Sequence, residues 1–301
     1  MLFLFIYVKI VYNDYMKIFT WNDILTILND GSDYDYFKNG CGISVGSFDG
    51  LHCGHRFLLD CLVSSCRKKN YQCGAVTFTR PLPSIKHNDD YKGDISTLSQ
   101  RKKLLESLGI DFIILVDFDE SFASMLGSDF FTILLNVCNL KIVAEGVDFK
   151  CGYKGAMDIQ ALKYFCGKNN IQSLFVNPVY YDSDNGKIYT QNDNEFENIL
   201  HNNEIHRVSS SMIRKLIQKG YFNTVELLLN RKYSLDFENF QKDLQQLYDN
   251  KKQPEIEIKK IFQVLPPAGK YLCNAQQKDE CKLQITQDKI ILQRCVECAN
   301  F

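Results

Sequence analysis

The feature that most constrains this chain is an alternation that runs from about residue 41 to 230. Short apolar runs rich in β-branched residues (42–48, 73–78, 112–118, 141–145 and 173–179) alternate with stretches of helical period (54–69, 98–108, 128–137 and 158–167). In the first of those stretches Leu58, Leu62 and Cys66 recur at i, i+4 and i+8, one stripe along a helix. Strand and helix in repetition imply crossover units, hence an α/β fold with a parallel sheet and helices on both faces. Ligands of such sheets bind beyond the carboxyl ends of the strands, where the first strand turns into its helix. With 301 residues, 45% of them hydrophobic, the chain holds one large domain or two smaller ones.

Outside that block the pattern changes. Residues 235–250 are polar with helical character, and 251–260 (KKQPEIEIKK) read as a charged linker. Some forty residues follow, with strand-like runs around Pro266-Pro267-Ala268-Gly269. A piece of that size seldom supplies its own core, so it is expected to lean on the main domain or a partner chain. At the other end, residues 1–12 are apolar but far shorter than a spanning helix, and they lack a basic start and a cleavage site. Met16 opens a natural start, so 1–15 are read as an N-terminal extension and not as an export signal or membrane anchor.

Lys plus Arg number 35 and Asp plus Glu 36, a balance that argues against a nucleic-acid binder. Twelve cysteines scattered through a chain this large read as reduced thiols in a cytoplasmic protein. Cys295 and Cys298 have C-x-x-C spacing. Their potential partners Cys273 and Cys281 are too far apart for a tight second pair, so no protein metal site is expected.

The candidate chemistry sits where the first strand of the block ends: Gly46-Ser47-Phe48-Asp49-Gly50-Leu51-His52-Cys53-Gly54-His55. Glycines there let the backbone approach a phosphate, and a helix start offers unpaired N–H groups with partial positive charge. His52 and His55, at i and i+3, would project to one side and donate hydrogen bonds to phosphate oxygens whose charge grows during transfer. Downstream, Ser209-Ser210-Ser211 precede Arg214 by less than a turn or so of helix. Ser209 suits an N-cap, the serines offer hydroxyls and amides to a phosphate, and Arg214 can bring a fixed charge to leaving pyrophosphate. An ordinary capped helix with an exposed arginine is the plainer reading of that segment taken alone.

G-x-F-D-G-x-H-x-G-H, carried by Gly46, Phe48, Asp49, Gly50, His52, Gly54 and His55, resembles the signature of the HxGH nucleotidyltransferases. Its form is that of bacterial FAD synthetases, the adenylyltransferase half of the bifunctional riboflavin kinase/FAD synthetases. Val208-Ser209-Ser210-Ser211-Met212-Ile213-Arg214 resembles that family's V-S-S-T/S-x-I-R motif. Gly146-Val147-Asp148-Phe149-Lys150-Cys151-Gly152 resembles its G-x-D/N-F-x-F-G loop, with Cys151 for an aromatic and Met157 for a glycine further on. Leu228–Tyr233 is similar to its L-L-G-R-P-Y boundary, with Asn230 and Lys232 as departures. The likeness spans about residues 16–233.

The resemblance implies a Rossmann-like fold and adenylyl transfer from ATP, with Mg²⁺, to FMN, giving FAD and pyrophosphate. It assigns His52, His55 and Arg214 to catalysis and Gly46, Ser47, Phe48, Asp49, Gly54 and Ser209–Ser211 to ATP phosphates. Asp148 and Phe149 would hold flavin or nucleotide, although Asp148 could equally be a turn aspartate bonding its own backbone. Where the family has V-T-F-E/D-P-H-P this chain has Val76-Thr77-Phe78-Thr79-Arg80-Pro81-Leu82-Pro83, without the histidine or the acid. Arg80 there is either a flavin-phosphate contact or a solvated cation. No G-F-P-T-A-N run of the kinase module occurs after residue 233, so 234–260 are expected as helix and linker and 261–301 as a truncated, kinase-remnant-like tail, a candidate for self-association. Two other functions stay open: a non-catalytic flavin- or nucleotide-binding paralogue, and nucleotidyl transfer to another phosphorylated acceptor.

Overall fold

The computed structural model describes residues 16–31, 35–80, 91–199, 204–240, 255–274, 280–293 and 298–300. Six parallel strands form the central sheet: β1 (Lys17–Thr20), β2 (Cys41–Val45), β3 (Gln72–Phe78), β4 (Phe112–Val116), β5 (Leu140–Gly146) and β6 (Gln172–Val176). Their order is β1-β4-β3-β2-β5-β6, so the order reverses at β2, and every neighbouring pair is parallel. The helices between them are α1 (Trp21–Asp30), α2 (Cys53–Lys68), α3 (Leu98–Ser107), α4 (Glu120–Ser124), α5 (Gly127–Cys138) and α6 (Ile159–Lys168). This is the parallel α/β arrangement the alternation predicts and the Rossmann-like fold the resemblance implies.

β2, β3 and β4 are buried almost throughout, as strands covered on both faces must be, and their sequences are accordingly near-continuous apolar runs. α2 packs tightly on β2. A Cβ added at Gly42 would lie 2.3 Å from Cys66 Sγ, so glycine there sets the approach of helix to strand. The buried stripe of α2 is Leu59, Leu62 and Cys66. Leu58, expected within that stripe, is only half-buried and faces a cavity described below.

A three-stranded antiparallel sheet follows β6, made of β7 (Tyr180–Asp182), β8 (Ile188–Tyr189) and β9 (Ile205–Arg207). Helices α7 (Phe196–Ile199), α8 (Ser210–Lys219) and α9 (Phe222–Leu229) complete this part. The remaining described strands are β10 (Ser234–Asp236), β11 (Glu255–Glu257), β12 (Gly269–Asn274), β13 (Glu280–Ile285), β14 (Lys289–Gln293) and β15 (Cys298–Asn300), forming a second six-stranded sheet ordered β10-β15-β12-β13-β14-β11.

The segment 234–260, expected as helix and linker, therefore carries two strands. Glu255-Ile256-Glu257 alternates exposed, buried, exposed, a period of two that the flanking lysines and Pro254 disguise. Residues 241–254, the bulk of the expected helix, lie outside the described residues, as do 1–15 and Cys295. The C-terminal sheet has no separate core. Ile256, Val264, Leu283, Ile285, Ile290 and Leu292 share one buried cluster with Val179, Ile213, Val225 and Leu228 of the main body. Among the described residues no helix is long and apolar enough to cross a membrane.

Candidate active site

β2 ends at Val45, and the chain reaches α2 through a turn that uses three left-handed residues, Phe48 (φ 46°), Gly50 (φ 77°) and Leu51 (φ 37°). Left-handed backbone is strained for the two side-chain-bearing residues, so the turn needs external restraint. Buried polar contacts supply it. The Asp49 carboxylate accepts from the Ile95 amide at 3.0 Å, the Ser96 amide at 3.0 Å, Ser96 Oγ at 3.2 Å and the Arg214 guanidinium. Arg101, fully buried on α3, donates to the carbonyls of Ser47 (2.9 Å), Phe78 (2.9 Å) and Thr79 (3.0 Å). From α8, Ser210 Oγ donates to the Asp49 carbonyl at 2.9 Å.

His52 is the N-cap of α2 and its Nδ1 accepts the His55 amide at 3.4 Å. That bond requires Nδ1 without a proton, which leaves the proton on Nε2. The two imidazoles stack with centroids 3.8 Å apart and planes 19° from parallel, and Phe48 meets His55 edge-on at 5.5 Å. Burial pushes the His55 pKa down to about 4. Burial also holds the His52 pKa well below the usual imidazole range, with His55, Arg207, Arg214 and Arg231 adding repulsion. Both rings are therefore neutral near pH 7 and act as hydrogen-bonding groups, not as fixed charges. His55 Nδ1 is buried and has no hydrogen-bond partner among the described residues.

The histidines open onto a cavity of about 300 Å³ whose wall also includes Gly54, Leu58, Gly146, Asp148, Phe149, Asn177, Arg207, Ser209 and Ser210. It lies beyond the carboxyl ends of β5 and β6, beside β2, where the strand order reverses. Asp148 is not bonded into its own turn: its carboxylate pairs with Arg207 at 2.7 Å, both side chains about half exposed. Ser209 caps α8 by accepting the Met212 amide at 3.2 Å, while Ser211 sits exposed on that helix, off the cavity wall. Arg214 is likewise off the wall. It is 7% exposed, its Nε donates to the Gly93 carbonyl at 2.7 Å, and its guanidinium lies 4.7 Å over the Tyr91 ring while bonded to Asp49. Arg80 stands over the Phe262 ring, 3.6 Å from Asp94, with its side chain 43% exposed, and it lines neither this cavity nor the one described next.

A second cavity, of about 240 Å³, is almost wholly apolar. Phe78 from the end of β3, Phe118 from beyond β4, Phe122 and Met125 from the α4 region, Phe130 from α5 and Phe149 surround it, with Gly46 and Lys150 at its margin. Edge-to-face contacts join these rings: Phe78 to Phe118 at 5.8 Å, Phe118 to Phe122 at 5.9 Å and Phe122 to Phe130 at 5.8 Å. Trp21 stacks on Phe130 from behind, at 5.3 Å. Of the residues around this cavity, sequence reasoning placed only Gly46 and Phe149 in a site, and it missed the aromatic wall. The available signal was the aromatic pair Phe118 and Phe122, just past a strand's carboxyl end.

The family departures fall beside it. Cys151, on the wall, has its thiol pushed up to about 12 by burial and by Glu145, so it serves as a small apolar group. Met157 bridges Cys151 through backbone bonds of 3.0 and 3.1 Å and packs on Gly127, where an added Cβ would meet Met157 Cβ at 2.5 Å.

Phe149 lines both cavities, and Gly46 and Gly146 stand between them. No group of three His, Cys, Asp or Glu able to hold a metal occurs among the described residues. Asp49 is saturated by its donors, which leaves Asp148 as the carboxylate on the phosphate-side wall.

A parallel α/β body with a histidine-capped helix at the strand-order reversal and an aromatic cavity beside it has the Rossmann-like fold of the nucleotidyltransferases. The chain belongs to the FAD synthetase family, whose model matches residues 35–189, just over half of it. A bifunctional riboflavin kinase/FMN adenylyltransferase of Buchnera aphidicola (subsp. Schizaphis graminum) is 28% identical over 66% of this chain and 57% of its own. The protein of the same description from Escherichia coli K12 is 30% identical over 38% of this chain and 37% of its own. A FAD synthetase of Listeria monocytogenes is 26% identical over 62% and 67%. The chain thus spans roughly a third to just over half the length of those bifunctional relatives. The crystal structure described as a macrolide-efflux protein from Streptococcus pneumoniae has a TM-score of 0.64 at 19% identity, covering 95% of this chain and 97% of its own, a likeness of fold alone.

Proposed function

We propose that this protein is an FMN adenylyltransferase, joining MgATP and FMN to give FAD and pyrophosphate. One observation carries the reading: a cavity under a histidine-capped helix, with Asp148 and Arg207 on its wall, and an aromatic cavity share Phe149. The first suits the phosphates of ATP and the second an isoalloxazine ring, so the two reactive phosphates meet between Gly46 and Gly146. An FMN phosphate oxygen attacks the α-phosphorus of ATP. The new O–P bond forms as the bond from that phosphorus to its bridging oxygen breaks, and pyrophosphate leaves with the electron pair. Positioning and charge stabilisation carry such transfers.

In this reading the amides at Gly46–Asp49 and the start of α2 face the phosphates, while His52 Nε2–H and His55 donate to oxygens that gain charge. Arg207, on the cavity wall, exchanges Asp148 for phosphate. Arg214 serves as a positioning residue through Asp49, and Ser209 and Ser210 hold the start of α8 against the motif. MgATP enters as substrate, with Asp148 beside the ion's water shell. The C-terminal sheet supplies no phosphate loop of the G-F-P-T-A-N kind, so the chain takes FMN ready-made and does not phosphorylate riboflavin. Eight free cysteines among the described residues suit a cytoplasmic enzyme.

The test is incubation of the purified chain with MgATP and FMN, or with riboflavin in place of FMN. FAD and pyrophosphate from FMN, and neither FMN nor FAD from riboflavin, are expected. Binding of ATP and FMN without turnover would assign it to the non-catalytic reading, and turnover of another phosphorylated acceptor alone would change the substrate.

A further inference from the structure

The loop that holds the phosphate motif is itself held from the C-terminal side of the chain. Residues 93–96 lie between the motif and the segment 262–264. On one side the Ile95 and Ser96 amides grip Asp49, Ser96 Oγ accepts the Gly50 amide at 2.9 Å, and the Gly93 carbonyl receives Arg214. On the other, Asp94 forms a parallel bridge with Gln263: its amide donates to the Phe262 carbonyl at 2.7 Å and its carbonyl accepts the Val264 amide at 2.8 Å. Contact is close enough that a Cβ added at Gly93 would fall 2.6 Å from the Val264 nitrogen.

Gln263 is the centre of this second face. It is 4% exposed, and its amide nitrogen is 3.1 Å from the Ile95 carbonyl, 3.1 Å from Gln100 Oε1 and 3.0 Å from the Ser234 carbonyl. Its Oε1 accepts the Asp236 amide at 2.7 Å. One side chain thus ties β10, the start of α3 and the 93–96 loop together, while Tyr233 fixes the same segment through the Val264 carbonyl at 2.5 Å. The motif turn, with two non-glycine residues in left-handed backbone, rests on that loop.

We infer that Gln263 is a positioning residue for adenylyl transfer, and that segment 262–264, between β11 and β12, is a structural part of the phosphate site. The inference rests on the proposed activity for its kinetic consequence but not for its physical one. None of the residues lining the aromatic cavity belongs to 93–96 or 262–264. Loosening the clamp should therefore act on ATP and leave FMN unaffected.

The experiment compares wild type with Gln263→Leu, which loses all four bonds, and Gln263→Glu, which keeps the acceptor for Asp236. Hydrogen exchange of the unliganded proteins is read by peptide, and MgATP and FMN binding by calorimetry. Gln263→Leu should speed exchange in peptides spanning 46–55 and 91–97 but not in α6, and weaken MgATP about tenfold with FMN affinity unchanged. Gln263→Glu should fall between. Should wild type make FAD, kcat should fall while KM for FMN holds. If wild type makes none, the adenylyl-transfer reading fails, yet the exchange and MgATP results still judge the clamp. Faster exchange confined to 234–293, exchange raised evenly throughout, or equal weakening of both ligands would overturn it. If neither variant folds, wild-type exchange decides. The amides of Gly50, Ile95, Ser96, Asp236 and Val264 should open together as one unit, and distinct opening free energies for 50 and 264 would overturn the inference.

Discussion

Replacing Asp49 by Asn probes the tie between the two phosphate motifs. The carboxylate and the Arg214 guanidinium form an ion pair with side chains 2% and 7% exposed. Asn keeps the shape and one acceptor oxygen, but its NH₂ opposes a donor and Arg214 loses its counter-charge. Removing one member of a buried pair costs about 3–5 kcal/mol. Arg214 keeps its bond to the Gly93 carbonyl and the nearby Asp94, so the lower end, about 3 kcal/mol, is expected. Asp49→Ala would also orphan the Ile95 and Ser96 amides, at about 1–3 kcal/mol each, and could exhaust a total stability of about 5–15 kcal/mol. Asn is thus the informative change. Arg214→Met leaves a carboxylate still served by three donors and should cost about 2 kcal/mol. The double variant should cost about 2 kcal/mol less than the sum of the two. Urea unfolding followed by Trp21, the single tryptophan, measures all four corners. An interaction energy below about 0.5 kcal/mol would refute the pairing as the tie between the motifs.

Four further outcomes follow from the site. His55→Ala should lower turnover by roughly 10²–10³ with the fold intact, and turnover within a few-fold of wild type would remove His55 from the reaction. The His55 pKa is depressed from 6.5 to about 4, so its effect on stability is constant above about pH 6.5 and is lost as pH falls toward 4; the stability difference between wild type and His55→Asn should drop by roughly 3 kcal/mol over that window, and a flat difference would contradict a buried neutral ring. Glu145 is buried with its carboxyl accepting the Val45 amide at 2.7 Å, and burial pushes its pKa well up. Glu145→Gln keeps that acceptor, so it should match wild type in acid and gain over it in thermal unfolding as pH rises from about 4.5 toward the native pKa, the gap staying constant above that; a gap independent of pH would refute a buried protonated acid. Trp21 packs on Phe122 at 5.4 Å and on Phe130 at 5.3 Å, both walls of the aromatic cavity, so FMN binding should quench its emission. An unchanged spectrum at saturating FMN would place the flavin elsewhere.

Much of this architecture is legible in the sequence because its signals are local. Each strand of the main block is a short apolar run and each long helix has its own stripe, so β2 to β6 and helices α2, α3, α5 and α6 fall within a few residues of expectation. β1 escapes because Lys17–Thr20 is an edge strand of four residues, mostly exposed, with no alternation to betray it. β11 escapes because three residues of strand sit inside a charged run. At the site, the glycines and histidines announce themselves as one contiguous motif. Arg101, Arg207 and the aromatic wall do not, because their roles depend on what lies opposite them across the fold. Arg214 shows the same limit from the other side: its motif position is clear, but its partner, Asp49, is 165 residues away in sequence. A charge expected to meet a ligand meets a buried carboxylate instead.

The most direct measurement is the product of one incubation: the full chain with MgATP and FMN, resolved by chromatography and assayed for pyrophosphate, with His52→Ala/His55→Ala as control. The account predicts FAD and pyrophosphate in equal amounts from wild type and neither above background from the control. Bound ATP and bound FMN that never become FAD would contradict it.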